Sequence, residues 1–456
     1  MPIRSSVVLA MSACLSAALL AGCADGGSSA THAAGAVPVT PQGTTSGALE
    51  SSGRSVHSGA RRTLSGPSCS GTGTGAFVGV NNTNVAGGNY SVVGGGQDAQ
   101  ACDAWSSVVG GYSNVIAASG SHEDGFIGGG EYNTVTGSDL DSAIVTGNGN
   151  NVSNTESAIV GGTSNSVAAS YALIGGGTSN SLSTNGQYGA IVGGEQNNVS
   201  GEYGFIGAGT HNTVSGEGGY IAAGGYNTVT GEGAVIDGGF NSTAAGTFAT
   251  IPGGYVNSAA GTYSFAAGAR ASAAQSGTFV WSDGSDGDTI LTSTQAYQFL
   301  ARASGGFTLY TNAGSTVGAQ LAAGSGTWAS LSDRNVKTNI VPLDDATVLD
   351  KVASLPISRW SYKSERGVRH VGPMAQDFYA AFGVGADDKH ITSIDEDGVA
   401  LAAIKALHGQ LRTQETSART AIKALRAASA SQSAKIAALQ LQLQRLSAQM
   451  VALHER

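Results

Sequence analysis

GQYGAIVGGEQNNVS (residues 186–200), GEYGFIGAGTHNTVS (201–215), GEGGYIAAGGYNTVT (216–230) and GEGAVIDGGFNSTAA (231–245) are successive copies of one short text. From 186 to 277 the period is 15 residues without slippage. Gly186, Gly201, Gly216, Gly231, Gly246 and Gly261 hold one phase, and Ile191, Ile206, Ile221, Ile236 and Ile251 a second. Gly194, Gly209, Gly224, Gly239 and Gly254 hold a third, Asn197, Asn212, Asn227 and Asn257 a fourth, and Val199, Val214 and Val229 a fifth. Such a unit is too short for a helical hairpin but long enough for two short strands and two tight turns, one rung of a parallel β-solenoid. The Ile and Val phases then face a narrow interior. The fixed glycines sit where the chain turns with positive φ or passes close to a neighbouring rung. The asparagines stack at a turn and bond the local backbone and each other.

Outward from this block the repeat region runs over 73–283. Residues 90–185 keep a Gly-Gly-x-x-Asn flavour at irregular period, which calls for small insertions. About thirteen rungs at ~4.8 Å give a length on the order of 60 Å. The unit resembles the head repeats of trimeric autotransporter adhesins, a likeness that implies a three-chain β-roll. Two other signals are weak. Gly71-Thr72-Gly73-Thr74-Gly75 lacks the strand-to-helix context of a phosphate loop. Asp283-Gly284-Ser285-Asp286-Gly287-Asp288 lacks the last glutamate of an EF-hand and reads as a polar turn closing the roll.

The 456 residues include 70 glycines, with 12% charged and 6% aromatic residues and no collagen period, so a large globular core is excluded over much of the length. A net charge of −9 without a Lys/Arg run argues against a nucleic-acid partner. Arg4 precedes an apolar run from Val7 to Leu20, which ends in Leu20-Ala21-Gly22-Cys23. This has the form of a secretory signal over 1–22, and its end resembles a bacterial lipobox. That resemblance implies lipidation of Cys23, with Ala24 favouring an outer-membrane lipoprotein anchored to the membrane by lipid. Residues 23–72 are Ser, Gly, Ala and Thr with almost no large apolar side chain, a flexible tether. Cys69 and Cys102 remain as either a disulfide or two thiols. No spacing suggests a metal or another cofactor.

Residues 284–331 alternate short apolar and turn stretches, a connecting β region. From Ser332 the composition is that of a small α/β domain over 332–407, with strand-like runs at 357–362 and 370–374 and a helix from Met374 to Phe382. After Gly398 the chain is helical to its end. Taking His408, Glu415, Ile422, Ser429, Ile436, Leu443 and Met450 as one core position and Leu411, Ala418, Leu425, Gln432, Leu439, Leu446 and Leu453 as its partner gives seven heptads over 408–456. This is a coiled coil whose strand number the heptads leave open.

Ser332 and Lys337 are candidate nucleophile and general base of a dyad that needs no histidine. A five-residue step turns about 140° round a helix and changes face on a strand, so local structure is expected not to unite them. The lysine must also lose its proton, through desolvation or a cation such as Arg334. Ser332-Asp333-Arg334-Asn335-Val336-Lys337, with LPISRWSYK (355–363), RHVGPMAQDF (369–378) and IDEDGVAL (394–401), resembles the peptidase S74 intramolecular chaperone domain of tailspikes and endosialidases. The resemblance covers roughly 328–410. It implies a domain that helps three chains fold together and then cuts itself off between Leu331 and Ser332. His370 and Asp377 fall in its second block as structural support.

Nothing here suggests an enzyme with an external substrate. The reading is mainly β: a trimeric, surface-anchored fibre of structural or adhesive type, binding itself and a surface glycan or host-cell receptor. A tailspike-like depolymerase would need paired carboxylates, and Glu195, Glu202, Glu217 and Glu232 are scattered turn residues. A phage tail fibre is disfavoured by the lipobox.

Overall fold

The computed structural model describes residues 69, 71–79, 83–117, 124–137, 141–365 and 367–454. The signal, most of the tether and Cys23 lie outside the described residues. From Phe77 the chain is a parallel β-solenoid of about 13 turns, then a small β/α region and a long C-terminal helix.

Each rung as far as Ser258–Ala259 gives a two-residue strand to each of two sheets, the last rungs give longer ones such as Phe265–Ala269 and Phe279–Asp283, and successive rungs pair in parallel. In the first sheet Ile191, Ile206, Ile221 and Ile236 pair in file, and in the second Val199, Val214 and Val229 do the same. All of these side chains are completely buried. Because alternate strand residues face opposite ways, the interior has room for one aliphatic side chain per strand and no more. The 15-residue period does not hold to 277, since Phe265 pairs with Phe279, 14 residues on, and the next step, Val280 with Leu300, spans 20. Among the earlier rungs three steps are longer than 15: Val108 pairs with Ile127, Ile127 with Ile144 and Ile174 with Ile191. In each case the extra residues fall between a second-sheet strand and the next first-sheet strand, so the register of the interior survives. Parallel pairing continues past Asp283, through Leu291–Thr292 and Phe299–Arg302. Residues 306–330 form a separate antiparallel sheet of Gly306–Tyr310, Gly318–Ala322 and Trp328–Ser330.

The asparagine phase forms a buried ladder. Asn212 Nδ2 donates to Gly224 O of the next rung (2.9 Å) and Asn197 Oδ1 of the previous one (3.1 Å). Its Oδ1 accepts the backbone N–H of Asn227 (3.1 Å). A side chain with both donor and acceptor ends fills this slot at no unmet polar cost. Beside it Gly209 has φ +105°, and a Cβ there would lie 2.0 Å from Gly224 O, so only glycine fits.

In the small region α1 (Asp345–Ser354), α2 (Ala375–Phe382) and α3 (Ser393–His454) accompany a hairpin of Ser358–Trp360 with His370–Gly372. α3 is one continuous 62-residue helix that starts five residues before Gly398. Val348 of α1 packs on Ala402 and Ala403 of α3, and Lys405 pairs with Asp345 at 2.6 Å.

Asn212→Ala is expected to destabilise the solenoid by about 2–3 kcal/mol, because buried Asn197 Oδ1, Gly224 O and Asn227 N–H each lose a partner. Asn198→Ala, whose side chain points outward from the second sheet, should change stability by about 0.5 kcal/mol or less. Denaturant melts followed by the β signal would compare the two.

Candidate functional site

The candidate dyad follows the antiparallel sheet directly. Its last strand ends at Ser330, and the Leu331 N–H still bonds Gly318 O at 3.1 Å. The carbonyl side of the Leu331–Ser332 bond is therefore anchored to a sheet. Asp333, extended at φ −67° and ψ 132°, caps a single 3₁₀ turn over Arg334–Val336. Its Oδ1 accepts the Asn335 backbone N–H (2.9 Å) and Asn335 Nδ2 (3.0 Å). Lys337 leaves the turn extended, its N–H on Arg334 O at 3.2 Å. Lys337 Nζ then donates to Ser332 Oγ at 2.5 Å.

This corrects the expectation that local structure cannot unite Ser332 and Lys337. That argument covered a regular helix and a regular strand, and the segment is neither. A tight turn between two extended residues folds the fifth side chain back over the first. The cap of this turn is Asp333, whose carboxylate is engaged by Asn335. Both dyad residues are exposed, as are Leu331, Val336, Ile340, Val341 and Leu343 around them.

The neighbouring elements are fixed by ordinary means. Asp344 caps α1 by accepting Thr347 Oγ1 (2.6 Å) and the Ala346 N–H (3.2 Å), and the Thr347 bonds hold its carboxyl below the usual value. The cap's contribution is therefore present above the unfolded carboxylate pKa and is lost as pH falls through the lowered folded one. His370 stacks on Trp360 (ring centroids 4.7 Å) and meets Glu365 at 3.1 Å. Asp377 lies in the first turn of α2, whose buried residue is Phe378. The acidic turn after Asp283 engages arginines: Asp288 meets Arg270 at 2.6 Å, and Asp286 pairs with Arg302. The Ser304 and Ser285 N–H groups hold the Asp283 carboxyl far below its ordinary value. Cys69 and Cys102 lie at bonding distance, Cα atoms 5.5 Å apart.

The chain is thus a solenoid protein whose C-terminal part carries a sheet-anchored Ser/Lys pair and a long helix. Residues 332–384 match the peptidase S74 family model, described as a chaperone of endosialidase. The chain thus carries a chaperone-of-endosialidase domain behind its solenoid. No curated protein matches the chain.

If the cysteines pair as placed, protein prepared without reductant should resist alkylation at Cys69 and Cys102 and take label at both after reduction. Labelling before reduction would show two thiols.

Proposed function

We propose that the protein is a surface-anchored homotrimeric fibre, and that its chaperone domain drives assembly and then cuts the chain between Leu331 and Ser332. The observation that carries the cleavage reading is the 2.5 Å contact of Lys337 Nζ with Ser332 Oγ inside the matched segment. Once Lys337 is neutral it can take the Ser332 hydroxyl proton. Oγ then adds to the Leu331 carbonyl carbon, and the C–N bond breaks as the Ser332 nitrogen gains a proton. The resulting ester is hydrolysed by water, leaving a Leu331 carboxylate and restoring the serine hydroxyl.

Exposure supplies the control. A lysine amine loses its proton near neutral pH when water is removed from around it, and in the single chain this amine is in water. The apolar residues beside it offer partner chains a surface to cover. Assembly then acts on the dyad by drying it rather than by bringing its two members together.

Two features support a self-assembled trimer. The heptad leucines of α3 are all outward in the single chain, Leu425 70% and Leu453 75% exposed. The two solenoid faces also differ. Outward residues of the first sheet include Phe126, Leu173, Phe205, Tyr220 and Phe265, whereas the second sheet shows Ser181, Asn198, Thr213, Thr228 and Thr243. An apolar face opposite a polar one fits burial between like chains. The S74 match adds a chaperone of the kind that the resemblance ties to three-chain folding. The lipobox at Cys23 supports an outer-membrane anchor, and the fibre's adhesive role toward a glycan or receptor belongs to the same reading.

The parent chain should yield a fragment starting at Ser332 on denaturing gels with N-terminal sequencing. Ser332→Ala, Lys337→Ala and Lys337→Arg should stay full length, as should a chain ending before residue 408. Cleavage persisting in Ser332→Ala would remove the dyad from this account. Asp333→Ala should slow cutting several-fold by loosening the turn, without abolishing it. Cys23→Ala should move the protein out of the membrane fraction; unchanged fractionation would discard the anchor.

A further inference from the structure

One surface column, formed by the left-handed residue of the turn entering each first-sheet strand, is aromatic over several rungs. Tyr171, Tyr188 and Tyr203 stack face to face with centroids 5.0 Å apart and planes 8° from parallel. Phe248 and Tyr263 resume the stack at 5.7 Å. Between them, at the two intervening rungs, stand Gly218 and Gly233. Their φ values of +63° and +61° match those of Tyr203 (+57°) and Phe248 (+55°). The turn is therefore the same and only the side chains are missing.

A Cβ at Gly218 would meet nothing within 4 Å, whereas the Phe248 ring leans over Gly233 to 2.6 Å from its Cβ position. Three rungs at ~4.8 Å separate the two ring faces by roughly 14 Å. Allowing one van der Waals contact distance of ~3.5–4 Å leaves roughly 10 Å clear, room for two flat groups. Glu202, Glu217 and Glu232 occupy the preceding position on successive rungs, so three carboxylates border this interval. Glu217 and Glu232 are exposed, as is the backbone at Gly218. The Tyr203 phenol is held above its usual value by desolvation first, then by Glu202, with Tyr188 and Glu217 adding smaller effects. Glu202 and Glu217 thus lie near the Tyr203 ring, and Glu232 holds the same position one rung further on.

We propose that the interval between Tyr203 and Phe248, floored by Gly218 and edged by Glu202, Glu217 and Glu232, is a binding slot for arginine side chains of a partner peptide. The chemistry selects guanidinium. It is flat, stacks on aromatic faces, and forks onto a carboxylate, where an ammonium offers only a point charge. Two guanidinium groups would replace the two absent rings and extend the stack, each beside a glutamate. An anionic or neutral ligand gains nothing from the three carboxylates. The slot is independent of the dyad and of the lipid anchor.

The test uses the full-length protein and three fluorescent probes: hexa-arginine, hexa-lysine and arginine amide. Hexa-arginine should bind about tenfold more tightly than hexa-lysine, with stacking as the difference, and more tightly than the monomer. Gly218→Tyr, which fills one of the two places, should reduce that preference severalfold. Its neighbours carry tyrosine at the same φ, so its melting curve should match the parent's. Glu217→Gln with Glu232→Gln should weaken hexa-arginine severalfold, while Glu195→Gln, on the opposite turn, should not. Equal affinity for the arginine and lysine peptides, hexa-arginine binding unchanged in Gly218→Tyr, or no binding at all would each overturn the proposal.

Discussion

A 15-residue rung can bury only one aliphatic side chain from each strand, and it can bury those only against the rungs before and after it. That constraint governs everything between residues 77 and 302. No rung has a core of its own, so pairing must be in register at every step. The buried asparagine enforces this register with direction as well as position. Asn212 takes a bond from Asn227 on one side and gives one to Asn197 on the other. A slip of one residue would turn the aliphatic files outward and leave the amides unpaired in the interior.

The same repetition shapes the surface. Whatever occupies a phase is stacked on its copy in the next rung, so a tyrosine becomes a column and a glutamate becomes an acidic edge. The left-handed turn that carries the tyrosines is an uncommon place for a bulky residue. Along the column the rings of Tyr171, Tyr188 and Tyr203 pack face to face. An interruption then changes the surface as much as an insertion would.

At the other end of the chain the parts have unequal degrees of completeness. The 3₁₀ turn, its aspartate cap and the dyad contact are finished within one chain. The heptad stripe and the apolar residues beside Ser332 are not, because their surfaces remain in water. The Ser332–Lys337 contact is thus formed in the single chain while both side chains stay in water.

The period alone determined the solenoid, because at 15 residues the spacing of Ile, Val, Gly and Asn admits two strands and two turns and little else. It also placed the aliphatics inside, the asparagines in a stacked turn and the glycines at close approaches. The blocks around Ser332 pointed to the chaperone domain, and the heptads to a long helix. Tertiary structure decided matters that periodicity does not encode. It carried the interior register intact through the long steps between Val108 and Ile191, since a turn can absorb residues that a strand cannot. It showed the tyrosines of the turns as stacks, because stacking depends on a backbone conformation that sequence rules assign to glycine. It also brought Lys337 onto Ser332 through an irregular turn, where the separation of two side chains depends on a few specific dihedral angles rather than on any repeat.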